Sequence, residues 1–215
     1  MNKTVSVYLK ISRQASCFTT PSVTKVARSK DPYKVLVSCI LSLRTKDKTT
    51  IEASRRLFKV AATPSGMVKL SSARLAKLIY PVGFYRTKSR VLLGISRKII
   101  DEYKGKVPGR IDDLLEFKGV GRKTANLVLG LGFGIPAICV DTHVHRISNR
   151  LGWVKTKNPE ETEVALSKII PRKYWIGLNT DLVAFGQNLC KPVLPLCSDC
   201  FVRHTCKRTN VKVSR

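Results

Sequence analysis

Residues 111–150, IDDLLEFKGVGRKTANLVLGLGFGIPAICVDTHVHRISNR, decide the fold. Leu114, Leu115 and Phe117 give a first helix one apolar face. Gly119 and Gly121 then interrupt the helical pattern around Val120. Without a β-carbon, glycine reaches positive φ and lets another backbone come close. From Lys123 the pattern resumes through Ala125, Leu127, Val128, Leu129 and Leu131. A short apolar loop follows, and Asp141 opens a third helix. A glycine turn with its amides beside a helix N-terminus can hold a phosphate, and Lys118, Arg122 and Lys123 crowd this one. On the hairpin alone, an ordinary helical pair with a glycine cap is an equal reading.

Working outward, the chain reads as all-α with short connections. Residues 1–24 suggest a helix or arm. Val35, Leu36, Cys39, Ile40 and Leu43 recur at helical spacing, and Ile51, Ala53, Leu57 and Phe58 do so after the polar break at residues 45–47. Residues 63–66, TPSG, read as a turn, and Ser71 or Ser72 caps a short helix through Tyr80. Pro81 stops it, VGFYRTKSR reads as a basic turn, and a helix follows over 91–103. After Pro136 a second lobe begins, with helices opened by Asp141, over 160–168, and from about Tyr174 to Leu189. Strand-like alternation is absent from the pattern.

Lys and Arg number 40 against 14 Asp and Glu in 215 residues, a formal net charge of +26, while 43% of residues are hydrophobic. That balance describes a folded protein with a polyanionic partner. Membrane surfaces compete for such a charge, but no apolar run approaches the ~20 residues of a spanning helix. The N-terminus lacks the apolar core of a secretory signal, although its basic, acid-free run to Asp31 leaves a transit peptide open. The expectation is an intracellular protein on the chromosome (cytoplasm or nucleoid in a prokaryote), acting as a monomer without a membrane.

Of seven cysteines, Cys190, Cys197, Cys200 and Cys206 fall in one segment spaced C-x6-C-x2-C-x5-C. Four thiolates so close can wrap one metal centre. Both a four-cysteine zinc site and a 4Fe–4S cluster are open on spacing, although zinc usually takes two C-x2-C pairs and only Cys197 and Cys200 form one. Cys17, Cys39 and Cys139 sit among apolar neighbours and read as buried free thiols.

FKGVGRKTA at 117–125, IPA at 135–137 and VDTH at 140–143 resemble the helix-hairpin-helix and Gly-Pro-Asp signature of base-excision DNA glycosylases. The cysteine spacing resembles the cluster loop of the endonuclease III family, which decides for 4Fe–4S. Lys118 departs from the pattern, standing where the family usually has proline. The resemblance spans about residue 25 to about residue 208. It implies a two-lobed helix-hairpin-helix glycosylase fold. A six-helix domain would span 25–135, and an iron–sulfur domain 136–215 together with 1–24. The cluster would be structural, fixing a basic loop against DNA. Only Lys191 is charged between Cys190 and Cys197, so Arg203, Lys207 or Arg208 would share the phosphate contacts.

The resemblance puts Lys123 and Asp141 at the family's catalytic positions. A lysine amine can attack the sugar C1′, expel the base and leave a Schiff base, whose acidic C2′ proton allows β-elimination. The helix N-terminus, Arg122 and Lys118 all oppose a positive charge on Lys123. Asp141 would assist deprotonation or stabilise the oxocarbenium-like sugar, besides capping its helix. Lys118, Gly119, Val120, Gly121 and Arg122 would meet the DNA backbone. Arg44 stands where relatives usually carry a gap-filling glutamine, and Phe84 where they place an apolar wedge, usually leucine; core packing competes with wedging for Phe84. His143 would line the site or pack within its helix.

The function so implied is excision of oxidised pyrimidines from duplex DNA, with strand cleavage at the abasic site. A monofunctional glycosylase for T or U opposite G, or for adenine, is the alternative, disfavoured because such relatives commonly replace the lysine. Adenine-removing relatives also carry a glutamate where Cys39 stands. A non-catalytic DNA-binding module with a structural cluster is the reading from a different class.

Overall fold

The computed structural model describes residues 2–215, and among them every regular element is helical. In chain order the α-helices are α1 (Lys3–Ala15), α2 (Ser22–Ala27), α3 (Pro32–Ser42), α4 (Asp47–Val60), α5 (Pro64–Val68) and α6 (Ser72–Ile79). They continue with α7 (Tyr85–Tyr103), α8 (Ile111–Leu115), α9 (Arg122–Leu127), α10 (Thr142–Leu151), α11 (Pro159–Ile169) and α12 (Trp175–Asn188). A wider π-helical turn, Val128–Gly132, extends α9. None of these helices is long and apolar enough to cross a membrane.

The chain divides into two compact units, Ser22–Ile135 and Met1–Pro21 with Pro136–Arg215. In the first, α3 is apolar all round and lies at the centre, with Val35, Leu36, Cys39, Ile40 and Leu41 buried. Its start is set by Asp31, whose side chain accepts from the Tyr33 and Lys34 amides, and by Pro32 in the first turn. Against it pack α2, α4, α7, α9 and the π turn.

In the second unit, α1 and α10 both pack on α12. Ile11, Val144, Ile147, Leu166, Leu178 and Leu182 form its core and are fully buried. Tyr8 Oη donates to Asp181 Oδ2 at 2.7 Å, joining α1 to α12. Gln14 ties α1 to the cysteine loop: its Nε2 donates to Asp199 O at 2.6 Å and its Oε1 accepts from Phe201 N at 3.0 Å.

Three expectations need correction. Helix α7 begins at Tyr85 rather than Val91, so YRTKSR is its first turns and not a loop. Residues 64–68 are a short helix rather than a turn, because Thr63 caps it by accepting from Gly66 N and Pro64 takes the first position. Cys17 is exposed, not buried, because α1 ends before it and it lies in the turn beyond. Cys39 and Cys139 are buried.

Candidate functional site

The glycine hairpin lies within the Ser22–Ile135 unit. Phe117 is 2% exposed and meets Tyr103 of α7 edge to face, centroids 5.7 Å apart. Val120 is buried as well, while Lys118, Gly119, Gly121, Arg122 and Lys123 are exposed. Two apolar anchors, Phe117 before the turn and Val120 within it, thus leave its glycines and basic residues in solvent. Gly119 has φ +84°, a conformation that a side chain strains, and it rides against Val91 of α7. Gly121 precedes α9 in an extended conformation, so Lys123 emerges in the first turn of that helix. Behind it, burial pushes the Cys39 thiol of α3 up to about 12, with Lys123 close enough for its charge to oppose the rise. Cys39 is therefore a neutral thiol.

Arg44 and Phe84 come together in the same unit. Both are exposed, Phe84 at 61%, and the Arg44 guanidinium lies 5.6 Å from the Phe84 ring centroid, a cation–π pair. Both also adopt left-handed backbone, φ +51° and +57°. For bulky residues such geometry costs about 1–3 kcal/mol and collects at functional sites. Gly83 makes the approach possible: a β-carbon there would stand 2.5 Å from the Arg44 carbonyl oxygen. Underneath sits a residue that the sequence reading passed over. Lys88 is 7% exposed, and its Nζ donates to Leu41 O at 2.9 Å, to Leu43 O, and to Thr45 Oγ1 at 3.2 Å. Burial pulls its pKa down to about 8. No periodicity signals a lysine at a buried position of a helix; the only hint is its place four residues after Phe84.

Asp141 belongs to the other unit and caps α10. Its Oδ1 accepts from His143 N and from Val144 N, each at 2.9 Å. His143 is half-buried: its Nδ1 lies 3.1 Å from Arg146 Nη2, and a β-carbon on Gly186 of α12 would come within 2.5 Å of that nitrogen. The ring thus packs against α12. Arg146, one turn further along, donates to Gly186 O and to Cys190 O at 2.8 Å. Arg150 donates to Cys190 Sγ at 3.5 Å, to Lys191 O and to Pro192 O. One face of α10 therefore grips the start of the cysteine loop.

Cys190, Cys197, Cys200 and Cys206 line one apolar cavity of about 30 Å³, walled by Ile147, Leu151, Phe185 and Val202. Burial pushes the Cys200 thiol up to about 11, and the other three sulfurs are near enough to raise it further. Arg208 N donates to Cys206 Sγ at 3.4 Å. Among the described residues no three His, Cys, Asp or Glu side chains converge tightly enough to clasp a single metal ion. Arg203, Lys207 and Arg208 around the loop are exposed, and the Lys207 stem covers Gly152.

Residues 37–172 match the HhH-GPD superfamily of base excision DNA repair proteins. Endonuclease III of Thermotoga maritima is 50% identical over 177 residues, 82% of this chain and 83% of that protein. Endonuclease III-like protein 1 of Gallus gallus is 40% identical over 193 residues, 88% of this chain and 67% of its own length. Among solved structures, a trapped endonuclease III–DNA covalent intermediate in an estranged-adenine complex matches with a TM-score of 0.78 at 37% identity, covering 83% of this chain and 84% of its own. The chain belongs to the HhH-GPD superfamily and, within it, to the endonuclease III family. A thermostable thymine-DNA glycosylase shares the fold, with a TM-score of 0.76 at 23% identity, covering 93% of this chain and 96% of that one.

Proposed function

We infer that this protein is a base-excision repair DNA glycosylase with abasic-site lyase activity, working on oxidised pyrimidines in duplex DNA. The observation that carries this reading is Lys123, exposed in the first turn of α9 behind the glycine hairpin, in a chain half identical to an endonuclease III. The Lys123 amine bonds to the sugar C1′ as the glycosidic bond breaks and the base leaves with a proton. The sugar ring opens to an imine on Lys123, the C2′ proton is removed, and the 3′ phosphate departs by β-elimination. Asp141 supplies the carboxylate, negative and fixed by its capping bonds, that stabilises positive charge developing on the sugar. The hairpin residues 118–122 hold DNA phosphate, and Arg44 with Phe84 fills the stack where a nucleotide has swung out. Cys39 offers Lys123 a neutral thiol, where adenine-removing relatives carry glutamate.

The four cysteines would hold a 4Fe–4S cluster, the reading that their C-x6-C-x2-C-x5-C spacing supports over a lone zinc ion. They ring a shared apolar cavity, and the Arg150 guanidinium and the Arg208 amide donate toward two of the sulfurs. Such a cluster supplies a rigid cross-link for a loop, residues 190–206, that has little helix of its own. Arg203, Lys207 and Arg208 then face DNA phosphates, and affinity falls as salt rises.

Borohydride trapping tests the reading. Duplex DNA with one oxidised pyrimidine should give a covalent complex, absent on undamaged duplex and absent with Lys123→Gln, which should still bind. Base loss from a T·G mismatch with no trapped complex would replace this reading with a monofunctional one.

A further inference from the structure

We propose that Lys88 is a positioning residue for the base-extrusion step, holding Arg44 and Phe84 side by side as one rigid tip. The proposal rests on the reading above that these two residues enter the DNA stack.

A lysine buried as Lys88 is costs stability. A buried ammonium gives up its water, and the three oxygens around it carry no formal charge. A methionine of similar length would fill the space without that penalty. What the ammonium supplies is direction. Leu41 O and Leu43 O lie at the carboxyl end of α3, where carbonyls lack helical partners and a cation is favoured. The same Nζ reaches Thr45 Oγ1, which also accepts from Gly83 N at 3.2 Å. Lys88 itself sits in the first turns of α7, just beyond Phe84. One ammonium therefore joins the residues on both sides of Arg44 to the helix that begins after Phe84. Each tip residue stands in left-handed backbone with its side chain in solvent, so neither conformation is held by its own burial. The ties beneath them hold it.

This role predicts a selective defect. Expelling a paired base needs a preformed filler for the gap, whereas cleaving an abasic site in single-stranded DNA does not. The test uses the full chain, wild type and Lys88→Met. It compares base release from lesion duplex, strand cleavage at a single-stranded abasic site, and the fluorescence rise of 2-aminopurine placed beside the lesion. Lys88→Met should slow base release by about tenfold or more. Cleavage of the single strand should stay within about threefold, and the 2-aminopurine rise should disappear. Equal losses in both reactions would mean that Lys88 merely supports the fold, and no loss would mean that the tip needs no tie. Either result overturns the proposal.

If Lys88→Met does not fold, Thr45→Val carries the same comparison, because it removes the oxygen shared by Gly83 and Lys88. The same split in rates must appear, and equal losses count against the idea. If wild type releases no base at all, the glycosylase reading has failed and fluorescence alone decides. A rise in wild type that is lost in the variant supports positioning, and identical signals refute it.

Discussion

Asp141 has two jobs, as a helix cap and as a charged partner for the sugar, and one pair of substitutions separates them. As a cap, it receives two amide hydrogen bonds at 2.9 Å, both on Oδ1. Asparagine keeps an oxygen there, and Asn and Asp are comparable N-caps. Asp141→Asn therefore loses only the favourable meeting of a negative charge with the helix dipole, about 0.3–1 kcal/mol. Asp141→Ala loses that and the capping bonds, a further ~0.5–2 kcal/mol. Urea unfolding should rank wild type, Asn and Ala in that order, with the larger step between Asn and Ala. Base release should rank differently. If the carboxylate charge supports the transition state, Asn and Ala should be about equally slow, ~10²–10⁴-fold below wild type. An Asn variant as stable as wild type and within a few-fold of its rate would show that Asp141 is a cap and nothing more.

Phe117→Ala should cost about 3–5 kcal/mol by urea unfolding, because the ring is fully buried against Tyr103. Its DNA affinity should fall as well, since the hairpin loses an anchor; unchanged affinity would detach the hairpin from binding. The Lys88 ammonium has its pKa lowered from 10.5 to about 8 in the folded protein, so between those values the unfolded chain binds the extra proton. Wild-type stability relative to Lys88→Met should therefore rise from pH 8 to 10.5, and a flat difference would contradict the burial. Purified protein should carry iron and inorganic sulfide in equal amounts, and Cys197→Ser should lose both; stoichiometric zinc would reverse the choice of cofactor.

The parts that sequence made legible are those whose signal is local. Asp141 before a helical run, Ser71 three residues before Arg74 N, and glycines flanking Val120 each state their geometry within a few residues. The cysteine spacing does so too. Thr63-Pro64 carries a helix-start signal of the same kind, cap then proline, although TPSG spells a turn equally well. The start of α7 was hidden for a different reason. Phe84 offers no capping side chain, and the inward residue of the first turns is a lysine. An apolar-periodicity reading discounts such a segment, because what makes position 88 interior is the carboxyl end of α3, 45 to 47 residues earlier. Cys17 misled in the opposite sense: apolar neighbours in sequence say little once a helix has ended. The pairing of Arg44 with Phe84 needed tertiary structure, since neither left-handed conformation is written in a residue that prefers it.

The bonds from Gln14 to Asp199 and Phe201 also set an order of events during synthesis. They link residues 185 and 187 positions apart. At roughly 5–20 residues per second, α1 leaves the ribosome and then waits roughly ten to forty seconds for its partners. Meanwhile the continuous stretch from Ser22 to Ile135 is complete and can pack. The cysteine loop is clamped by a segment synthesised long before it. Those bonds cannot close until translation has passed residue 201, so α1 spends that interval without the loop it is built to hold.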